Sequence, residues 1–219
     1  MTLRHCGLVT AVAAVLISNA AAGQIPTSVE FKVGVQTAST KRNVSLSDEV
    51  VDRTSSSLKG IEAELAPIHG GPGIGGRILN GSFGDATMTL KEGKFFLGED
   101  IFRVEGAYGQ RSMFGTDSLV LFTRIGAKSI IRIGGSGIAL LMSGSKYLKG
   151  DFTVKKNGDT TPAPPNADGW EGETGVAYST LKVPVFVQLG YRSEFFKYGS
   201  RAEHLSGLIL QTGLWLGGR

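Results

Sequence analysis

The stretch that most limits what this chain can become is its last one. Across residues 206–217, Leu208, Leu210, Thr212, Leu214 and Leu216 share one parity, and Ile209, Gln211, Gly213, Trp215 and Gly217 share the other. An extended strand turns successive side chains to opposite faces, so the segment has one Leu-rich face and one face carrying Gln and glycine. That division suits hydrocarbon on one side and a cramped polar interior on the other.

The alternation recurs along the chain. Residues 29–37 set Val29, Phe31, Val33 and Val35 against Glu30, Lys32, Gly34 and Gln36. A lysine facing lipid at mid-bilayer would cost roughly 2–4 kcal/mol, which puts Lys32 on the inner face. Residues 56–66 set Ile61, Ala63 and Leu65 against Gly60, Glu62 and Glu64. Residues 101–111, 118–128, 173–180 and 185–192 alternate in the same way, whereas 74–83 and 138–147 read as strands with no evident choice of face. Residues 87–97 are weakly patterned. Residues 40–54 and 193–203 are polar and aperiodic, and 149–172 is proline-dense around Pro162, Pro164 and Pro165, so all three read as loops.

Barrels of this kind favour an even strand number, with short turns at one end and long loops at the other. Treating 87–97 as a loop and 173–192 as one strand gives eight, but the proline-rich loop then joins the short turns. Treating 87–97 as a strand and dividing 173–192 at residues 181–184 gives ten. Connections 69–73, 98–100, 128–134 and 181–184 then lie at one end, with 40–54, 84–86, 113–117, 149–172 and 193–203 at the other. The expected fold is all-β, a closed antiparallel transmembrane β-barrel of about ten strands, with eight as the alternative. Closure leaves no backbone group unpaired in hydrocarbon.

Composition agrees. Hydrophobic residues make up 41% of the 219, too few for a bundle of apolar helices, and the 32 glycines are spread along the chain as a curved sheet with a thin inner face requires. The net charge of +4 is scattered, which gives no basic stripe for nucleic acid. Residues 1–22 read as a secretory signal: Arg4 and His5 precede an apolar core over 7–17, and small residues at 18–22 offer a cleavage site before a barrel domain at 23–219. The only cysteine, Cys6, lies inside that signal, so disulfides are not expected to hold the mature chain.

Glu62, Glu64, Arg103, Glu105 and Arg124 are assigned to a polar cluster in the lumen, with Lys32, Arg77 and Gln211 as further inward candidates. Side chains that pair there would plug the barrel, whereas unpaired ones would line a selective pore. Tyr108, Tyr147, Tyr178, Tyr191 and Trp215, near strand ends, are assigned to aromatic girdles at the headgroup level. With these segments in view, the chain over residues 29–217 resembles bacterial outer-membrane β-barrel proteins as a strand pattern, without a diagnostic motif. The resemblance implies an outer-membrane address, lipid around the wall and contact with the assembly machinery during biogenesis. Members commonly end on a terminal aromatic; here Leu214-Trp215-Leu216 is followed by Gly217-Gly218-Arg219.

A monomer without enzymatic activity is expected, serving surface contact, envelope structure or passage of small solutes. No cofactor, metal site or nucleic-acid partner is expected. The glycine runs at 70–76 and 134–137 lack the Lys-Ser/Thr ending of a phosphate loop and read as turns. The main enzymatic alternative rests on His204 and Ser206, which resemble the His-x-Ser arrangement of outer-membrane lipid A deacylases, although no acidic residue follows them. A soluble secreted β-sandwich is the remaining alternative.

Overall fold

The computed structural model describes residues 29–47, 49–67, 69–84, 86–112, 119–148, 153–156, 159–162, 168–179 and 183–216. The expected signal at 1–22 and the connection at 113–117 lie outside the described residues. Every regular element among the described residues is a β-strand: β1 (Val29–Leu46), β2 (Glu49–Pro67), β3 (Gly71–Phe83), β4 (Ala86–Glu99), β5 (Phe102–Ser112), β6 (Leu119–Arg132), β7 (Ile138–Tyr147), β8 (Thr153–Lys156), β9 (Asp159–Pro162), β10 (Asp168–Ser179), β11 (Val185–Tyr198) and β12 (Arg201–Leu216).

Ten of these strands close on themselves. Each pairs antiparallel with its neighbours in chain order, β7 passes to β10, and β12 returns to β1. The last strand therefore closes the barrel, with Val33 opposite Leu214 and Gln36 opposite Gln211. Two stacked sheets are excluded by this single circuit. The short hairpin β8–β9 pairs with the start of β6, with Val120 in register with Val154.

The registers also fix the shape. A row that leaves β1 at Val35 and follows them through all ten strands returns to β1 about twelve residues nearer the far end. For ten strands that stagger means a tilt of ~40° and a backbone radius of ~10 Å, narrow enough for side chains to fill. Row by row, the inner face needs small residues where large ones arrive. Gly34 and Gly213 lie opposite each other beneath the Phe186 ring, and a Cβ on Gly34 would stand 2.8 Å from Phe186 Cζ.

Three expected loops are not loops. Residues 40–54 continue β1 and β2 to a tight turn at Ser47, whose φ is 49°. Residues 193–203 continue β11 and β12 to a turn at Gly199, φ 60°. Within 149–172 lie β8, β9 and the start of β10, with Pro162 ending β9. The period-two signal fades at this end because the outward positions turn polar as well. Ser39, Lys41 and Asn43 face out while Thr40 and Arg42 face in, yet the ladder continues without a break through both.

The ambiguous faces resolve for a related reason. In β7, Ile138, Leu140 and Met142 are exposed, while Ala139 and Leu141 are buried with Ile130 and Ala177 in a small apolar cluster of the lumen. Both faces of that strand are apolar, so alternation could not separate them. Ile74 and Ile78 of β3 face out and Arg77 faces in.

Candidate functional site in the barrel lumen

The inward positions are stacked in layers along the axis. Nearest the end where β1 begins and β12 finishes, Lys32 is buried with its Nζ 4.5 Å from the Phe186 ring centroid and 5.4 Å from that of Trp215. Its neighbour Arg132 stacks 4.6 Å from Trp215 and pairs with Asp100 at 2.8 Å. Cations over ring faces are held by the negative charge of the π cloud.

The next layer is an ion-pair network. Glu64 Oε1 accepts from Arg103 Nη2 at 2.7 Å and from Lys94 and Lys128 Nζ, both at 3.2 Å. Arg103 Nε donates to Glu105 at 2.7 Å, and Lys94 also donates to Glu62 at 2.5 Å. A second knot lies beside it: Arg124 reaches Glu92 at 2.5 Å and Glu171 at 3.2 Å, and Arg77 reaches the same two carboxylates at 2.8 and 2.5 Å. Buried charges persist when paired and hydrogen-bonded in this way; a bare one would have to neutralise.

Of the expected lumen residues, Glu62, Glu64, Arg103 and Glu105 come together around Lys94. Arg124 belongs to the neighbouring knot with Glu92, Glu171 and Arg77. Lys94 and Glu92 were missed because their strand is weakly patterned, and Glu171 because its segment reads as loop. A residual cavity of about 40 Å³ lies among these charges, bordered also by Ser143, Ser145 and Gln211. That is room for about three water molecules.

Above the charges the lumen becomes apolar. Ala38, Leu58, Leu79, Phe83, Met88, Leu90, Val120, Phe122, Tyr147, Phe196, Leu205 and Ile209 form one buried cluster across the barrel. Tyr147 meets Phe122 edge-on at 5.0 Å and Phe196 at 5.7 Å, and its hydroxyl donates to Glu194 at 2.9 Å. Arg111 crosses this layer to bind Glu194 at 2.5 Å and Glu203 at 3.1 Å. None of these last three charged residues was assigned from the sequence; Glu194 and Glu203 fall in a stretch read as loop.

The aromatic assignments divide. Tyr108, Tyr178 and Tyr191 are outward and exposed. Tyr147 and Trp215 are corrections: both face the lumen and are buried at 1% and 9% exposure, Tyr147 because Glu194 accepts its hydroxyl and Trp215 because two cations cover its ring. His204 and Ser206 share the outer face of β12, but the imidazole Nε2 sits 2.9 Å from Ser193 Oγ on β11. Among the described residues no carboxylate bonds that ring.

The chain is a closed ten-stranded β-barrel that resembles bacterial outer-membrane β-barrel proteins. Neisserial surface protein A matches it at 14% identity and a TM-score of 0.38, over 84% of this chain and 97% of that one. The translocator domain of the autotransporter NalP from Neisseria meningitidis matches at 12% identity and a TM-score of 0.38, over 95% and 96%. Omp33 of Acinetobacter baumannii matches at 11% identity and a TM-score of 0.34, over 84% and 98%. Likeness at these identities concerns the fold alone. No protein-family model matches the barrel, and no curated protein matches it.

Proposed function

We propose that this protein is an integral, non-enzymatic barrel of a Gram-negative outer membrane, closed by its own side chains and serving envelope structure and surface contact. One observation carries the reading: a buried apolar layer, with Val120 and Phe122 at 0% exposure, lies in the path a solute would take. The ion-pair layer beneath it is filled by mutual pairing, and its cavity has room for only a few waters. Passage of small solutes would require both layers to part.

The outer face supports the membrane address. Exposed Ile61, Ile78, Phe95, Leu140, Leu189 and Leu210 belong to an apolar belt around the terminal half of the wall. The stagger and tilt make that belt ~25 Å tall, the height of the hydrocarbon band of such barrels. The start of β1 and the end of β12 lie at that half, which supports a periplasmic face for it, with the polar continuations of β1, β2, β11 and β12 projecting outside. Lipid is the partner of the belt, the assembly machinery the partner during biogenesis, and export would proceed by the signal at 1–22. A monomer is sufficient, since every strand edge of the circuit is already paired.

A hydrolase reading draws on the Ser193–His204 contact. A Ser–His pair without an orienting acid among the described residues lacks the third member that fixes the tautomer. The non-enzymatic reading is therefore preferred.

Reconstitution in planar bilayers tests the proposal. The barrel is expected to insert and to show no steady current. Sustained single-channel openings of the unmodified protein would overturn the closed lumen.

A further inference from the structure

The charges inside and outside this barrel are sorted differently. Within the lumen layers, the arginines and Lys94 meet carboxylates at ion-pair distance. On the outer face of β1, β2 and β4, beyond the apolar belt, stand Lys41, Arg53, Lys59 and Lys91, all exposed and with no ion pair among the described residues. Between the belt and the hairpin tip at Glu49, no described carboxylate shares that face. Four like charges on one wall repel one another, which is a standing cost unless something anionic lies against them.

Their height along the barrel indicates what that is. Lys59 lies opposite Asn80, Asn80 lies opposite Thr89, and Lys91 lies opposite Ile78, so the two lysines flank β3. With strands tilted by ~40°, they stand at nearly the same level, roughly 12 Å apart at the backbone. Tyr108 on the adjoining β5 and Trp170 on the opposite wall, exposed at 60% and 41%, stand close to that level. Aromatics of this kind mark the headgroup layer. Two lysine side chains leaning together over Asn80 converge on one anion there, with Lys41 and Arg53 above for further negative charge. Phosphate is the fitting group: it offers several acceptor oxygens and its charge-assisted bonds to ammonium are strong.

We propose that Lys59, Lys91 and Asn80 form an outer-wall site for the phosphate of an outer-leaflet lipid whose acyl chains lie along Ile61 and Ile78. The site rests on the membrane reading above. The lipid, rather than free phosphate, is the source, because the apolar face directly below it supplies the chains' share of the binding.

The test uses the full mature barrel in phosphatidylcholine vesicles, titrated with phosphatidic acid or, separately, with inorganic phosphate. The readout is the unfolding midpoint. Phosphatidic acid is expected to raise it and inorganic phosphate at equal concentration is not. In the K59S/K91S double variant, the phosphatidic acid needed for half the rise should increase about tenfold, as the loss of two charged contacts implies. K197S, which removes a cation from the wall of β11, should leave it unchanged. An unaltered response in the double variant, or an equal response to inorganic phosphate, overturns the site while leaving the membrane barrel intact. Failure of the unmodified protein to insert into either vesicle overturns both.

Discussion

Arg111 on β5 and Glu194 on β11 meet across the lumen at 2.5 Å, among the buried apolar side chains of the upper layer and beside Glu203. Tyr147 donates to the same carboxylate and Phe196 lies 4.6 Å beneath the guanidinium. The pair ties opposite walls of the barrel together where neither charge can reach water. Replacing Arg111 by Ala strands Glu194, and about 3–5 kcal/mol of stability should be lost. The double replacement R111M/E194L should recover most of it. Urea unfolding in detergent micelles measures both; equal losses in the single and double variants would show that the charge was never the issue.

Phe122 is packed edge-on against Tyr147 with no solvent exposure. Phe122→Ala should cost about 3–5 kcal/mol through lost transfer energy and the cavity it leaves. The same variant thins the apolar layer, so brief openings in planar bilayers should appear that the parent lacks. A silent variant of unchanged stability would place the barrier elsewhere.

Leu210 is exposed on the outer face within the apolar belt, and Ser55 is exposed on the outer face well above it. Leu210→Arg should cost about 2–4 kcal/mol in folding into vesicles, while Ser55→Arg should cost about 0–1 kcal/mol. Similar penalties at the two sites, read from the folded fraction on unheated gels, would count against a lipid belt.

His204 contacts Ser193 rather than Ser206. Neither His204→Ala nor Ser193→Ala is expected to change the acylation of outer-membrane lipid followed by mass spectrometry. A shift in chain number on expressing the parent, absent with either variant, would establish the hydrolase reading instead.

What was legible in the sequence follows from where the two faces of a strand differ. Around the terminal half, Leu208 faces out and Gln211 faces the lumen, so alternation marks most of the strands and their faces, while the count of ten comes from how the connections divide between the two ends. Beyond the belt the contrast vanishes: Lys41 and Arg42 are both polar, and the hairpins there read as loops although their ladders run on to the turns, with a register shift between Val44 and Ser45. Where the lumen itself is apolar the contrast also fails, as at Leu140 and Leu141. The ion-pair partners were half legible for the same reason. Glu62 and Glu64 sit on a clean strand, but Lys94, which joins them, lies on one whose pattern Gly93 and the Phe95-Phe96 pair blur. Tyr147 looked like a girdle residue from its place near a strand end; only the register shows that its parity is that of Ser145 and faces inward.

Oxygen accessibility along β12 tests the central claim most directly. The chain's only cysteine is Cys6, so with Cys6 replaced by Ser, single cysteines at 208–215 can each carry a nitroxide in reconstituted vesicles. Labels at 208, 210, 212 and 214 should collide freely with lipid-dissolved oxygen, and those at 209, 211, 213 and 215 should be shielded from it. Uniform accessibility, or collisions dominated by a water-soluble reagent at the leucine positions, would contradict a wall with oil outside and a filled polar hollow within.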